Sequence, residues 1–406
     1  MNEAAVRQLL RARTPGFSLP QPFYTDPAIF TLDLRAIFER QWIFAGLASE
    51  IAEPGEYLTV EVGTSPVLVL RDRDGVVRAF FNTCRHRGAR ICDDRHGRAK
   101  TLVCPYHRWT YRLTGALAAA PFMPEGFARE RYGLKPLAVR ELCGTIFVSL
   151  AADPPDFAPY AEALAPHLAP HGLEQAKVAF ECDLVEEGNW KLVMENSREC
   201  YHCRTQHREL MRTFLDIYDF TAPENQAEIE HYWARLRAMG LPTHIVDGPE
   251  FRATRLPFTH GALSITMDGT PAVSRRLGSV PSNDIGSLRW VHYPSVFNHA
   301  LGDYAVMVRM LPVAPQRSVV TTKFLVHRDA VEGRDYDLKR LTEVWLATND
   351  QDKALVERNQ AGVNSAGYEP GPYSPALEAG VVRFVEWYAG EMAAYLEAGA
   401  VRAAAE

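Results

Sequence analysis

The chain has 406 residues, of which 47% are hydrophobic, and carries a formal net charge of −6 at pH 7. A net negative surface attracts neither nucleic acid nor an anionic membrane, so neither is expected as a partner. The apolar runs are shorter than the roughly 18 residues typical of a membrane span, and the first residues lack the apolar core of a signal peptide. The seven cysteines are odd in number and lack the pattern of a disulfide framework, so we expect a cytoplasmic protein.

The first part of the chain predicts a helix, an arm and a strand-rich domain. A short helix is expected over residues 2–13, followed by an extended arm that ends near Pro22. The turn sequence Asp72-Arg73-Asp74-Gly75 stands before the last of three predicted strands, which are 57–62, 67–70 and 77–81. These elements indicate a compact antiparallel β domain over residues 42–155, preceded by residues 1–41 as an arm that packs on the rest of the chain.

The remaining residues, 156–406, predict a second domain of mixed strands and helices. Strand-like runs occur at 178–187, 261–268, 286–292, 304–311 and 318–327, and helix-rich segments occupy 331–363 and 375–398. This order implies an antiparallel sheet with helices packed on one face, so the expected fold class is α+β.

Two short loops each contain one cysteine and one histidine, Cys84-Arg85-His86 and Cys104-Pro105-Tyr106-His107. Two thiolates on one iron and two neutral imidazoles on the other form the ligand set of a Rieske-type 2Fe-2S cluster. The alternative is a structural zinc site, but zinc ligands of one kind are usually spaced C-x2-4-C and H-x3-5-H. Each loop here mixes the two kinds, so the pattern favours the cluster.

A second motif, E-x2-H-x4-H, contains Glu199, His202 and His207. At ~100° per residue, Glu199 and His202 share one face of a helix, whereas His202 and His207 lie ~140° apart. The helix must therefore break or bulge before His207 if both imidazoles bind one ion. Two histidines and one carboxylate are typical of a mononuclear iron that activates oxygen.

A distant acid should complete this ligand set. Asp350 and Asp352 lie on a long predicted helix in the C-terminal region, and we favour Asp352. Asn196 either lines the iron pocket or is a buried structural amide. Cys200 and Cys203 have the spacing of a redox or zinc pair, but on a helix beside iron ligands we interpret them as small buried apolar residues.

Together the two motifs resemble the oxygenase (alpha) component of Rieske non-haem iron oxygenases, over nearly the whole chain. The segments Gln21–Pro27, Asn189–His202 and Gly371–Ser374 are similar to the quaternary-ammonium branch, which contains stachydrine (proline betaine) demethylases and glycine betaine monooxygenases. Most of the family has an aspartate at the position of Glu199, which bridges a Rieske histidine of one subunit to an iron-ligating histidine of its neighbour. The quaternary-ammonium branch has the same glutamate as this chain.

The resemblance implies a helix-grip catalytic domain in which the long C-terminal helical region carries the third iron ligand. It implies a 2Fe-2S cluster, a mononuclear Fe(II), and electrons from NAD(P)H through a separate flavin and iron–sulfur reductase. It also implies a homotrimer, in which each cluster serves the iron of the neighbouring subunit. The expected reaction uses O2 to hydroxylate an N-methyl group of proline betaine or glycine betaine, and the hemiaminal then loses formaldehyde. Glu199 is expected to orient His202, the alternative being an exposed acid on a helix.

A quaternary ammonium donates no conventional N–H hydrogen bond, so aromatic faces are expected to select it. Tyr293 and Phe297 alternate along one strand-like run, with Trp290 on its other face, and Trp345 and Tyr304 are further candidates. Arg309 is a candidate for the carboxylate of the betaine. Each aromatic residue could instead belong to the hydrophobic core, and Arg309 could instead be exposed or paired with an acid in the core.

Two rival functions remain open on the residues alone. A Rieske enzyme acting on an aromatic ring or an aryl ether has a neutral or anionic substrate and needs no cation box. A Rieske electron-transfer protein needs only the first motif, and the second motif and the length of the chain argue against it.

Overall fold

The computed structural model describes residues 1–215 and 222–405, with side chains through residue 399. The chain forms two compact units, the small unit Phe38–Phe157 and the large unit, Met1–Ile37 with Ala158–Glu406. Within the described residues, no helix is both long and apolar enough to cross a membrane.

The small unit contains ten strands. The three predicted strands lie within β2, β3 and β4, and the turn at Asp72 forms as expected, because its Oδ1 accepts hydrogen bonds from the backbone N–H of Asp74 (2.9 Å) and Val76 (3.0 Å). The strands are β1 Ile43–Leu47, β2 Glu56–Val62, β3 Ser65–Arg71, β4 Val77–Phe81, β5 His96–Arg98, β6 Leu102–Val103, β7 Thr110–Tyr111, β8 Leu117–Ala119, β9 Pro136–Leu142 and β10 Thr145–Ser149. They form an antiparallel seven-stranded sheet, β1-β10-β9-β4-β3-β2-β5, and a three-stranded sheet, β6-β7-β8.

The large unit combines helices with one antiparallel sheet, so the predicted α+β class is confirmed. Its helices are α1 Glu3–Ala12, α2 Pro22–Thr25, α3 Pro27–Asp33, α4 Ala158–Leu168, α5 Trp190–Asn196, α6 Cys203–Gln206, α7 Gln226–Ala238, α8 Leu338–Val363 and α9 Ala379–Ala405. Its strands are β11 Ala176–Glu186, β12 Val246–Asp247, β13 Phe251–Leu256, β14 Ser287–His292, β15 Val296–Ala300, β16 Ala305–Ala314 and β17 Arg317–His327. Their order in the sheet is β11-β17-β16-β15-β14-β13-β12.

One predicted strand in this unit is wrong. Residues 261–268 form turns and bends, and the strand nearest to them in the chain is β13. The buried carboxylate of Asp303 accepts from Ser264 Oγ (2.9 Å) and from the backbone N–H of Ala272 (2.7 Å). Side-chain acceptors thus satisfy polar groups that a strand would pair in a ladder.

The register of the sheet decides which side chains share a face. Cross-strand partners point to the same side, and β14–β15 pairs Val291 with Phe297 and Arg289 with His299. The face that carries Phe297, Arg289 and His299 is called the inner face here. Helix α8 packs on it, since the Trp345 ring lies 4.8 Å from that of His299.

Candidate metal centres

The two Cys/His loops of the small unit have matching backbone geometry. The N–H of Cys84 donates to the carbonyl of Ala89 (2.8 Å), and the N–H of Cys104 donates to that of Trp109 (2.9 Å). The fourth residue after each cysteine, Gly88 or Arg108, has a left-handed φ of 80° or 62°. Each loop is therefore a tight turn around its cysteine, which glycine adopts freely and arginine adopts at some cost.

The four predicted ligands meet at these loops. Cys84 and Cys104 are buried free thiols, whereas the rings of His86 and His107 lie nearer the surface with centroids 4.7 Å apart. Burial and the neighbouring His86 lower the pKa of His107, which favours the neutral imidazole that a metal requires. The buried Nδ1 of His107 has no hydrogen-bond partner within the described chain. The buried thiols, the two imidazoles and this unpartnered ring nitrogen fit a Rieske 2Fe-2S cluster.

Two aromatic residues that the sequence reasoning did not single out support these loops. Tyr111 Oη lies 3.2 Å from Cys84 Sγ and accepts a hydrogen bond from the N–H of Arg85 (3.0 Å). The Trp109 ring stacks on His86 at a centroid distance of 4.9 Å. The only signal available in the sequence was their nearness to the second loop, at Trp109-Thr110-Tyr111.

In the large unit, the ligand atoms predicted for the mononuclear iron converge on one point. Asp352 Oδ1 lies 3.3 Å from His202 Nε2 and 3.1 Å from His207 Nε2. The two Nε2 atoms are 3.0 Å apart. Three donors this close leave room for one shared cation, and two imidazoles with one carboxylate suit Fe(II).

The electrostatics of this group also favour a cation. Burial opposes a charge on His202, but hydrogen bonds with Asp352 and Glu199 outweigh it and raise the pKa of His202 to about 9. Burial likewise opposes ionisation of Asp352, but hydrogen bonds with His202 and His207 lower the pKa of Asp352 to about 2. Both shifts favour a positive charge beside the ionised Asp352, where a bound Fe(II) would lie.

The local backbone differs from the predicted helix that carries both Glu199 and His202. Helix α5 ends at Asn196, and a turn precedes the single-turn helix α6, which His207 terminates with φ −103° and ψ 69°. The predicted break before His207 is confirmed. Glu199 and His202 meet through the turn and not on a helix face, with Glu199 Oε1 2.5 Å from His202 Nδ1.

Other polar side chains hold the remaining ligands. Gln351 Oε1 lies 2.9 Å from His207 Nδ1, and Asn196 Nδ2 donates to Asp352 Oδ1 over 2.7 Å. Asn196 and Asp352 also border a small cavity, together with Phe297. Asp350, the alternative acid, is exposed, because it lies two residues from Asp352 on α8 and so projects from a different side of the helix.

The interpretation of Cys200 and Cys203 requires a correction. The turn brings their Cα atoms to 4.9 Å, and a disulfide joins the two sulfur atoms. They are therefore not separate apolar residues on a helix. Cys203 Sγ lies 3.9 Å from His202 Nε2, so the disulfide adjoins the ligand group.

The structure rearranges the predicted substrate residues. Tyr293 follows β14 and Phe297 lies on β15, so the two belong to separate segments and not to one strand. Both rings face the guanidinium of Arg198, whose Cζ is 5.9 Å from each ring centroid. Trp290 pairs with Asn298 on the opposite face of the sheet from Phe297, as expected.

Two other candidates also differ from their predicted positions. Arg309 pairs with Val296, the strand neighbour of Phe297, so it points away from the inner face. Tyr304 is fully buried and accepts a hydrogen bond from Trp345 Nε1 (2.9 Å). Trp345 lies seven residues before Asp352 on α8 and therefore shares its side of the helix.

Sequence reasoning missed three charged residues of this region. The buried Arg198 and the half-buried Arg289 lie close to Tyr293. Glu186 borders the cavity with a carboxyl whose pKa is raised to about 8 by burial and by Asp352. A usable signal existed for Arg289, because Arg289, Val291 and Tyr293 alternate in the sequence and so point to one side.

Comparison with known proteins agrees with this architecture. The model for the Rieske [2Fe-2S] domain matches residues 41–139, and the model for the ring hydroxylating alpha subunit (catalytic domain) matches residues 173–394. The glycine betaine monooxygenase oxygenase subunit of Chromohalobacter salexigens is 46% identical over 402 residues, which cover 98% of this chain and 90% of that protein. The carnitine monooxygenase oxygenase subunit of Acinetobacter baumannii is 35% identical over 246 residues, 58% of this chain and 65% of that protein.

Solved structures share the fold. The quaternary ammonium Rieske monooxygenase CntA in complex with gamma-butyrobetaine has a TM-score of 0.71 at 21% identity, covering 97% of this chain and 99% of that one. Naphthalene 1,2-dioxygenase from Rhodococcus sp. has a TM-score of 0.71 at 19% identity, covering 96% and 98%.

The fold and the two centres define a Rieske-type oxygenase with a 2Fe-2S domain and a non-haem iron catalytic domain. The chain belongs to the Rieske non-haem iron oxygenase family, as an oxygenase alpha subunit.

Proposed function

We propose that the protein is the oxygenase subunit of a betaine monooxygenase that removes an N-methyl group from glycine betaine, or from the related proline betaine. The observation that carries this proposal is the 46% identity to a glycine betaine monooxygenase oxygenase subunit along 98% of the chain. The resemblance to naphthalene dioxygenase concerns the fold only and favours no aromatic substrate.

The proposed ligands are Cys84, His86, Cys104 and His107 for the 2Fe-2S cluster and His202, His207 and Asp352 for the iron. When bound, the cluster supplies single electrons and the mononuclear iron activates O2. Overall, the substrate N–CH3, O2, two electrons and two protons give N–CH2OH and water. The hemiaminal then releases formaldehyde and a proton and leaves the demethylated amine.

The protein's own side chains fix the ligand orientations. Glu199 can accept a proton on His202 Nδ1, and Gln351 can accept one on His207 Nδ1, which leaves the Nε2 atom of each ring for the metal. Asn196 donates to Asp352 and limits the rotation of that carboxylate. Such contacts raise the basicity of the ligands and hold their geometry in place.

The proposed partners are a separate flavin and iron–sulfur reductase, which draws electrons from NAD(P)H, and two further copies of this chain in a homotrimer. In the trimer, Glu199 would connect His202 to a Rieske histidine of the next subunit. Glu199 is well suited to the bridge because its second carboxylate oxygen contacts only the backbone N–H of Tyr201 among the described residues.

A cytoplasmic location stays a prediction.

The test combines a substrate panel with metal analysis. Purified protein and its reductase are given glycine betaine, proline betaine, carnitine and aromatic acids, and oxygen uptake and formaldehyde are measured. We expect one formaldehyde per O2 with a small betaine and three irons per chain. Turnover only with aromatic acids would support the ring-hydroxylating alternative, and two irons per chain would indicate an electron-transfer protein.

A further inference from the structure

Two arginines, the buried Arg198 and the half-buried Arg289, meet beside the cavity that adjoins the proposed iron ligands. Arg198 lies in the turn after α5, and its Nε and Nη2 donate to Ser197 Oγ over 3.2 and 3.0 Å. Arg289 lies on the inner face of the sheet and donates to the backbone carbonyl of Ser197. Ser197 itself borders the cavity. The two cations therefore flank one residue of the cavity wall.

Neither guanidinium has a carboxylate partner. Among the residues that the structure describes, no ion pair involves Arg198 or Arg289. Burial and the charge of Arg289 lower the pKa of Arg198 to about 9, and burial and the charge of Arg252 lower the pKa of Arg289 to about 10. The charge of Glu199 favours the cationic form of Arg289, but the carboxylate of Glu199 already contacts His202. Burying two like charges together is unfavourable unless an anion joins them.

The surrounding aromatic residues determine which end of a substrate can lie here. The faces of Tyr293 and Phe297 are directed at Arg198, and Phe297 also borders the cavity. A substrate ammonium at these two rings would meet a guanidinium of the same charge. This end of the cavity therefore suits an anionic group, and the ammonium end must lie elsewhere.

We propose that Arg198 and Arg289 bind the carboxylate of the substrate. This inference rests on the proposed function, because a betaine carries its carboxylate close to the N-methyl group that reacts. The carboxylate is the only hydrogen-bond acceptor of glycine betaine, and a guanidinium binds such a group with two parallel N–H···O bonds. The two arginines would thus distinguish a betaine from an amino alcohol with the same trimethylammonium head.

The test measures binding of two ligands that differ at this one group. Glycine betaine and choline are titrated calorimetrically into anaerobic, iron-loaded wild type, Arg289→Met and Arg198→Met. We expect the Kd for glycine betaine to rise about 10- to 100-fold in each variant, as for the loss of a charge-assisted hydrogen bond, while the Kd for choline is unchanged. Arg198→Lys keeps the charge but lacks the planar guanidinium, so its Kd for glycine betaine should lie between those of wild type and Arg198→Met.

Arg309→Met is the matched control, because Arg309 is buried to about the same extent as Arg198 but points to the other face of the sheet from Arg289. It should leave both titrations unchanged. Iron content and thermal unfolding of each variant show whether the turn at Ser197 is intact. Equal weakening of both ligands, or loss of iron, would mean that the arginines only brace this turn, and an unchanged Kd for glycine betaine would also overturn the proposal.

The two proposals fail separately. If wild type demethylates glycine betaine but the arginine variants bind it normally, the carboxylate site is wrong and the proposed function stands. If wild type turns over no betaine, the proposed function is wrong. The carboxylate site is then decided by benzoate in the same titration, which wild type should bind and the two Met variants should not.

Discussion

His202 and His207 direct their Nε2 atoms at each other across 3.0 Å, although four residues lie between them in the chain. On an uninterrupted helix the two rings would point ~140° apart. The chain resolves this by ending α6 at His207, whose backbone leaves the helical region. The earlier turn, between α5 and α6, places Glu199 behind His202, so two interruptions of the helix form the proposed ligand pair and its support.

The choice of third ligand is tested by two neighbouring acids. Asp352→Asn should lose one iron per chain and all turnover, because it removes the charge that lies 3.1 and 3.3 Å from the two imidazoles. Metal analysis and the electron paramagnetic signal of the reduced Rieske cluster measure the two centres independently. Asp350→Asn, at an exposed position, is the control and should keep three irons per chain. Loss of iron from Asp350→Asn alone would reverse the assignment.

Glu199→Gln tests the link between the two centres. An amide keeps the shape of the side chain but weakens the charge-assisted hydrogen bond to His202. We expect both centres to be retained and the oxidation of the reduced cluster in a single turnover to slow by orders of magnitude. Glu199→Asp, the shorter carboxylate, should recover part of the rate. If the cluster of Glu199→Gln is oxidised at the wild-type rate, Glu199 has only a structural role.

Tyr111→Phe should change the potential of the cluster without changing its composition. The Tyr111 hydroxyl lies 3.2 Å from Cys84 Sγ, where it can donate to a thiolate ligand. Such a donor stabilises the more negative, reduced cluster, so its removal should lower the midpoint potential by tens of millivolts. A redox titration monitored by circular dichroism gives the midpoint potential. Tyr106→Phe, which changes an exposed tyrosine, is the control. An unchanged or higher potential would contradict this role.

Glu195 makes the stability of the large unit depend on pH. Burial raises the pKa of Glu195 to about 7, although hydrogen bonds from Tyr24 (2.8 Å) and Tyr373 (3.0 Å) partly oppose the shift. Because the folded state favours the neutral acid, this stabilisation is complete below the unfolded pKa of about 4.5 and is lost as pH rises through about 7.

Glu195→Gln should therefore gain stability relative to wild type between pH 5 and 8, by up to about 3 kcal/mol. Thermal unfolding of both proteins at a series of pH values measures the difference. Glu125→Gln, at an exposed acid, should follow the wild-type profile. A constant difference between Glu195→Gln and wild type at all pH values would show that Glu195 does not titrate in this range.

The local signals in the chain were sufficient for both metal centres. Ligand types and their spacing are properties of short segments, so Cys84 and His86, or His202 and His207, could be selected without knowledge of the fold. The strands near the first motif were also predictable, because alternation and the turn at Asp72 are local. The missed β15 is only five residues long, and its alternation is interrupted by polar Asn298 and His299.

The sequence by itself thus determined the family, the two kinds of centre and the ligand types. Only the tertiary structure separated the two candidate acids of the proposed iron site, because Asp350 and Asp352 lie on different sides of α8 and Asp352 alone of the two contacts the imidazoles. It also decided that Arg309 points away from the inner face while Arg198 occupies the faces of Tyr293 and Phe297. These outcomes depend on strand register and on helix packing. In a strand, a shift of one residue reverses the direction of every side chain, and short-range patterns in the sequence do not fix the register.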